Sequence, residues 1–167
     1  MATTSATLTT RLLAVLADTG AAIWAAGDTT EALRRALAAY SLARPQVKIA
    51  SITLASAARE ISTSTLTTPL SIDAVWLPYT AATPEYPPKV RAFRYWQDAA
   101  LIYIMDAPIP VTNQIARVFY STIHLLSGLD SAASITIPIE HDSIIVLGAA
   151  GYAAQSRALD LAEQVTV

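Results

Sequence analysis

The chain has no cysteine, which excludes disulfides and thiolate chemistry and leaves the redox compartment open. It is also short of charge: Asp, Glu, Lys and Arg make up 14% of its 167 residues while apolar types reach 53%. Ordinary soluble domains carry about 25% charged residues, so this chain has too little charge to coat its own surface. Part of that surface is expected to be covered by something else. The net charge of −2 comes with no basic block, so the footprint of a protein that grips DNA phosphates is missing and any contact with nucleic acid is expected to be loose or transient. No window reaches the roughly 18 consecutive apolar residues of a membrane span. The opening stretch MATTSATLTTRLLAVLADTG has neither the basic start nor the long apolar run and small-residue cleavage site of a signal peptide.

Other absences bear on chemistry. The five glycines are scattered, and neither GxGxxG nor GxxxxGK followed by Ser or Thr occurs, so no nucleotide cofactor is expected. There is no Gly-x-Ser-x-Gly elbow to expose a serine nucleophile. The two histidines, His124 and His141, lack metal-ligand spacing. His141 has Glu140 and Asp142 beside it, but adjacent helical residues point in different directions, so the trio is not a prearranged site. His141 is expected at a solvated helix start and His124 in a structural role. The chain is expected to be no enzyme and to hold no metal or cofactor.

What is present reads as one domain of about ordinary size. Leucines at 8, 12, 13 and 16 predict a first helix over Thr7–Ala17. A second follows, with Asp28 capping its first turn, Glu31 reaching back as in a capping box, and Leu33, Ala36, Leu37 and Tyr40 as its apolar stripe; Pro45 stops it. From Val47 the alternation of VKIASITLA predicts a half-buried strand, and the following segment to Thr80, dense in Thr, Ser, Ile, Leu and Val, has strand composition. The TPEYPP run predicts an exposed loop, because proline removes ladder donors. Strands are expected at about Arg91–Trp96 and Ala100–Met105, joined at Gln97-Asp98 as a hairpin, and at Ile115–Leu125. The fold class is therefore α+β: N-terminal helices (1–45) and a long C-terminal helix (138–165) form a helical part, with an antiparallel β-rich insertion at 46–125.

The last helix carries the most information. Ile144–Ala154, IIVLGAAGYAA, is an uncharged run, and a helix apolar around its circumference has to be covered on every side. Gly148 and Gly151, with Ala149 and Ala150 between them, suit close approach of a second backbone, which offsets the roughly 1 kcal/mol cost of each mid-helix glycine. Ile144, Leu147, Gly148, Gly151 and Tyr152 are the candidate subunit-packing residues. The bland reading places this helix at the centre of the chain's own core.

Taken in order, AAGDTTEALRRALAAYSLARP, RVFYSTIHLLSGLDS and IPIEHDSIIVLGAAGYAAQSRALDLAE resemble the head-to-tail adaptor (connector, or neck) proteins of tailed bacteriophages over nearly the whole chain. Tyr40, Ser41, Pro45, Tyr120, His124, Leu126, Gly148, Ala149 and Ala150 occupy the places that carry the family pattern. The resemblance implies a structural virion protein: a homo-oligomeric ring, often a dodecamer of twelve copies, between the portal protein and the next neck or tail component. Double-stranded DNA would pass through its channel. It would be made in the host cytoplasm and end in the virion neck, with no catalytic residue and no membrane. The alternative is a carbohydrate- or ligand-binding β module with helical decoration, for which Trp24, Trp76, Trp96 and the tyrosines would supply stacking rings; their spacing does not gather them on one strand face.

Overall fold

A computed structural model describes residues 3–165. The fold is α+β, with three helices and two small antiparallel sheets among the described residues. The chain divides into two compact units: a helical one that holds the chain up to Pro45 and from His124 on, and a β one of Gln46–Ile123.

In the helical unit, α1 (Ser5–Val15) starts at Thr4, whose hydroxyl accepts the Thr7 N–H at 3.2 Å. Leu8 and Leu12 are fully buried and Leu13 and Leu16 pack at the margin, as their spacing predicts. After α1 the Asp18 carboxylate accepts the N–H groups of Ala22, Ile23 and Trp24 at 2.8–2.9 Å, which ties down the approach to α2 (Ala26–Ala43). The start of α2 differs from expectation. Asp28 is the third helical residue rather than the cap, and its carboxylate reaches back to the Ala25 N–H at 3.0 Å. Glu31 lies one turn further in, where it pairs with Arg34 and Arg35 instead. Leu33, Ala36 and Tyr40 are buried, and the helix ends two residues before Pro45.

A short 3₁₀ turn at Ile139–His141 leads into α3 (Asp142–Val165). Ile145, Val146, Ala149 and Ala153 enter one core with Leu8, Leu12, Trp24, Leu33, Ala36, Tyr40 and Leu126.

In the β unit, β1 (Gln46–Thr53) and β3 (Pro69–Trp76) flank the central β6 (Ile115–Thr122), both antiparallel to it. The second sheet has β5 (Leu101–Ile104) between β2 (Glu60–Ser62) and β4 (Phe93–Trp96). Alternation in β1 and β6 sends Ala50, Ile52, Ala116, Val118 and Tyr120 toward a core with Ile61, Val75, Leu77, Ile102 and Ile104. The β4–β5 hairpin forms, with Gln97–Ala100 between its strands and the Ala100 N–H bonded to the Gln97 carbonyl at 3.0 Å. Both hairpin strands are shorter than expected. At the start Arg91 is buried and spends its guanidinium on Asp106 and on the Pro108 carbonyl. Strand β6 stops at Thr122, three residues early, because the His124 N–H donates to the Ser41 Oγ at 3.0 Å instead of to a ladder.

Candidate functional site

The outer side of α3 is the surface singled out by the sequence, and within the chain only the opposite side is covered. Ile145 and Ala149 are at most 1% exposed, whereas Ile144 is 53% and Leu147 63% exposed. Gly148 and Gly151 are exposed as well, Gly148 at the margin beside Ala36 of α2 and Gly151 in the open, and Tyr152 is half-buried at the edge. Neither glycine is a point of forced approach within the unit: a Cβ on Gly148 would meet the Ala36 Cβ at 3.5 Å, an ordinary contact, and one on Gly151 would meet nothing within 4 Å. The reading of α3 as the middle of its own core therefore holds for one side only. Further along, Leu159 and Leu161 are also exposed.

The outer side of α2 is built differently. Arg34 holds Asp130 through two nitrogens at 2.6–3.2 Å and Glu31 through a third, while Arg35 takes the other Glu31 oxygen at 3.0 Å. Hydrogen bonds from Arg35 and then Arg34 hold the Glu31 carboxyl below its ordinary range, and Arg34 does the same to Asp130. Asp18 is lowered chiefly by the Trp24 N–H, with Ile23 and Ala22 adding to it.

Of the family-pattern positions, Tyr40 and His124 meet: their ring centroids are 5.1 Å apart. His124 is buried and its Nε2 donates to the Arg44 carbonyl at 3.0 Å. Its Nδ1 lies 3.0 Å from the Thr136 carbonyl oxygen and 3.1 Å from the Thr136 hydroxyl. His124 thus ties the end of α2 to the 124–136 segment. His141 corrects an expectation. It is half-buried, not solvated, with Nδ1 2.6 Å from the Tyr40 hydroxyl and its ring 5.7 Å from that of Tyr40. Two histidines remote in sequence from Tyr40 flank it, and among the described residues no carboxylate joins them: Asp142 bonds to Thr3 at 2.7 Å and to Arg11 at 3.4 Å. Among the described residues no cluster of three or more His, Asp or Glu could hold a metal ion. Leu126 is buried in the helical core, Tyr120 in the β core, and Pro45 follows the end of α2.

Two features of the β unit were not anticipated. One is a cavity of about 670 Å³ lined by residues that include Leu77, Pro78, Val90, Arg91, Asp106 and Ile109. Burial works to raise the Asp106 carboxyl, but the hydrogen bond and charge of Arg91 outweigh it and hold the group low. Arg91 and Asp106, which line this cavity together with Lys89 and Gln114, are thus committed to each other. The other is an aromatic cluster on the outer face of the β1–β6–β3 sheet. Trp76 and Phe119 have centroids 4.5 Å apart, and the Arg117 guanidinium lies 4.6 Å from the Tyr79 ring centre. The alternation in RVFY places Arg117 and Phe119 on one face, but only the β3–β6 pairing brings Trp76 to them.

No helix among the described residues is long and apolar enough to cross a membrane. No protein-family model matches the chain, and no curated protein matches it significantly.

Proposed function

We propose that this chain is a head-to-tail adaptor of a tailed bacteriophage, a structural virion protein that forms a ring between the portal and the next neck or tail component, with DNA passing through the channel. The observation that carries the reading is α3: one side lies in the helical core, while the other presents Ile144, Leu147, Gly148 and Gly151 to solvent. A closed ring of identical subunits needs a heterologous interface, so each copy has to offer two different surfaces to its neighbours. An uncharged helix side with two glycines suits one of them, since small residues let a second backbone come close. The ordered phrases around Tyr40, Tyr120, His124 and Gly148 support the same reading.

The low charge also suits a channel that lets DNA slide, since a basic lining would hold the phosphates. The ligand-module alternative draws on the 670 Å³ cavity, but its Arg91–Asp106 pair is satisfied internally. Mixing the purified chain with the portal and weighing the products by native mass spectrometry tests the proposal. A complex with many copies of the chain per portal ring is expected. No complex at any ratio, or tight binding to a glycan panel instead, overturns it.

A further inference from the structure

The β1–β6–β3 sheet has two edges that are finished differently. Along β3 the outer edge is partly covered: the Leu77 N–H donates to the Lys89 carbonyl at 3.0 Å, and the Arg91 N–H donates to the Val75 carbonyl at 2.9 Å. Among the described residues, strand β1 pairs only with β6. Which of its groups face away follows from the register, in which Leu54 continues the series opposite Gln114 and its N–H donates to the Gln114 carbonyl at 2.9 Å. Even-numbered β1 residues therefore bond to β6, and the N–H and C=O groups of Val47, Ile49, Ser51 and Thr53 point out of the sheet. The Tyr79 N–H on the Ile115 carbonyl, on the β3 side of β6, fixes the same phase.

This edge has little of the usual protection, its one charge being Lys48 on the inner face. It is eight residues long with no proline, bulge or charge among its outward residues, and Val47 and Ile49 are 65% and 52% exposed. Toward its end it opens on a groove of about 300 Å³ lined by residues that include Ile52, Leu54, Glu60, Ile61 and Thr65.

We infer that β1 is a strand-addition site, which takes an extended segment of a partner polypeptide with a carboxylate placed beside Lys48. A row of alternating donors and acceptors is matched in full only by another extended backbone, which is how sheet edges recognise peptides. Val47 and Ile49 favour apolar residues at alternate positions on the outer face. On the inner face Lys48 is half-buried and has no carboxylate within ion-pair distance among the described residues. A second β1 has no acid with which to answer it, the sequence being QVKIASIT. The other free edges, β2 and β4, have only three and four residues. The occupant is thus a different chain. This inference does not depend on the adaptor reading.

Hydrogen exchange on the full chain tests it, with a synthetic seven-residue peptide of alternating valine and threonine that carries one glutamate. At about millimolar peptide, exchange of the 47, 49, 51 and 53 amides should slow by about tenfold or more, while the 46, 48, 50 and 52 amides, already bonded, change little. The same peptide N-methylated at alternate residues should give no protection. Ile49→Pro, which removes one outward donor and no ladder bond, should abolish protection; Lys48→Glu should weaken it and Lys48→Arg retain it. Equal protection by the methylated peptide, or none by either, overturns the inference. Protection that appears without peptide and grows with protein concentration assigns the edge to a second copy and overturns it as well.

Discussion

Helices α2 and α3 share one core and present opposite kinds of surface to solvent. The outer side of α2 carries Glu31, Arg34 and Arg35 in an ion-pair network that reaches Asp130. The outer side of α3 carries Ile144, Leu147 and two glycines. Inward, both contribute the same sort of residue, Leu33 and Ala36 from one and Ile145 and Ala149 from the other. The difference teaches where charge is placed: the middle of α2 is coated by ion pairs, although Leu42 near its end is 75% exposed, whereas the first half of α3 has no charged side chain on its outer side.

The comparison breaks first on the shared core. Ile145→Ala should lower unfolding free energy by about 2–5 kcal/mol in urea titrations, whereas Ile144→Ala, one residue away on the open side, should stay within about 0.5 kcal/mol. Similar losses from both would mean that the two sides of α3 are equivalent after all.

Next in size is Ser41→Ala. It removes the acceptor of the buried His124 N–H and should cost about 1–3 kcal/mol, read by thermal and urea unfolding.

The glycines sharpen the contrast with the opposite sign. Gly148→Ala and Gly151→Ala each fit the space observed and should stabilise the isolated chain by about 0.5–1 kcal/mol. Gly151→Leu should likewise leave the isolated fold intact while it blocks assembly with the portal, a split that sedimentation and circular dichroism together reveal.

Smallest is the acid response of the α2 side. The folded Glu31 carboxyl lies below its ordinary 4.5 and that of Asp130 below 3.8. Each therefore adds stability that is complete above those values and lost as pH falls through the folded ones. Glu31→Gln should flatten this slope between pH 4.5 and the acid limit in a series of urea titrations, and an unchanged slope would show that the network contributes nothing.

Much of the fold is legible in the residues. The leucine spacing of α1, the Leu33–Ala36–Tyr40 stripe and the alternation of β1 each reflect a local period, and each element forms where that period lies. Boundaries were less legible where two side chains compete for one local role. Asp28 and Glu31 both suit a helix start; with Ala25 as the cap, Asp28 reaches back to its N–H and Glu31 is left to pair with Arg34 and Arg35. His141 looked solvated because its neighbours in sequence are charged, while its partner Tyr40 is remote in sequence. For α3 the sequence indicates an apolar circumference but not which side the chain covers itself.

What the sequence alone determined is the type and order of elements, the α+β class, the shortage of surface charge and the unusual last helix, because these follow from composition and from periods of two and 3.6 residues. The tertiary structure alone decided that Ile144 and Leu147 are open while Ile145 and Ala149 are shut, that Tyr40 lies between two histidines, and that β1 is a bare edge. Each of these depends on which distant segments meet, and pairing energy is a property of two surfaces that no local pattern contains.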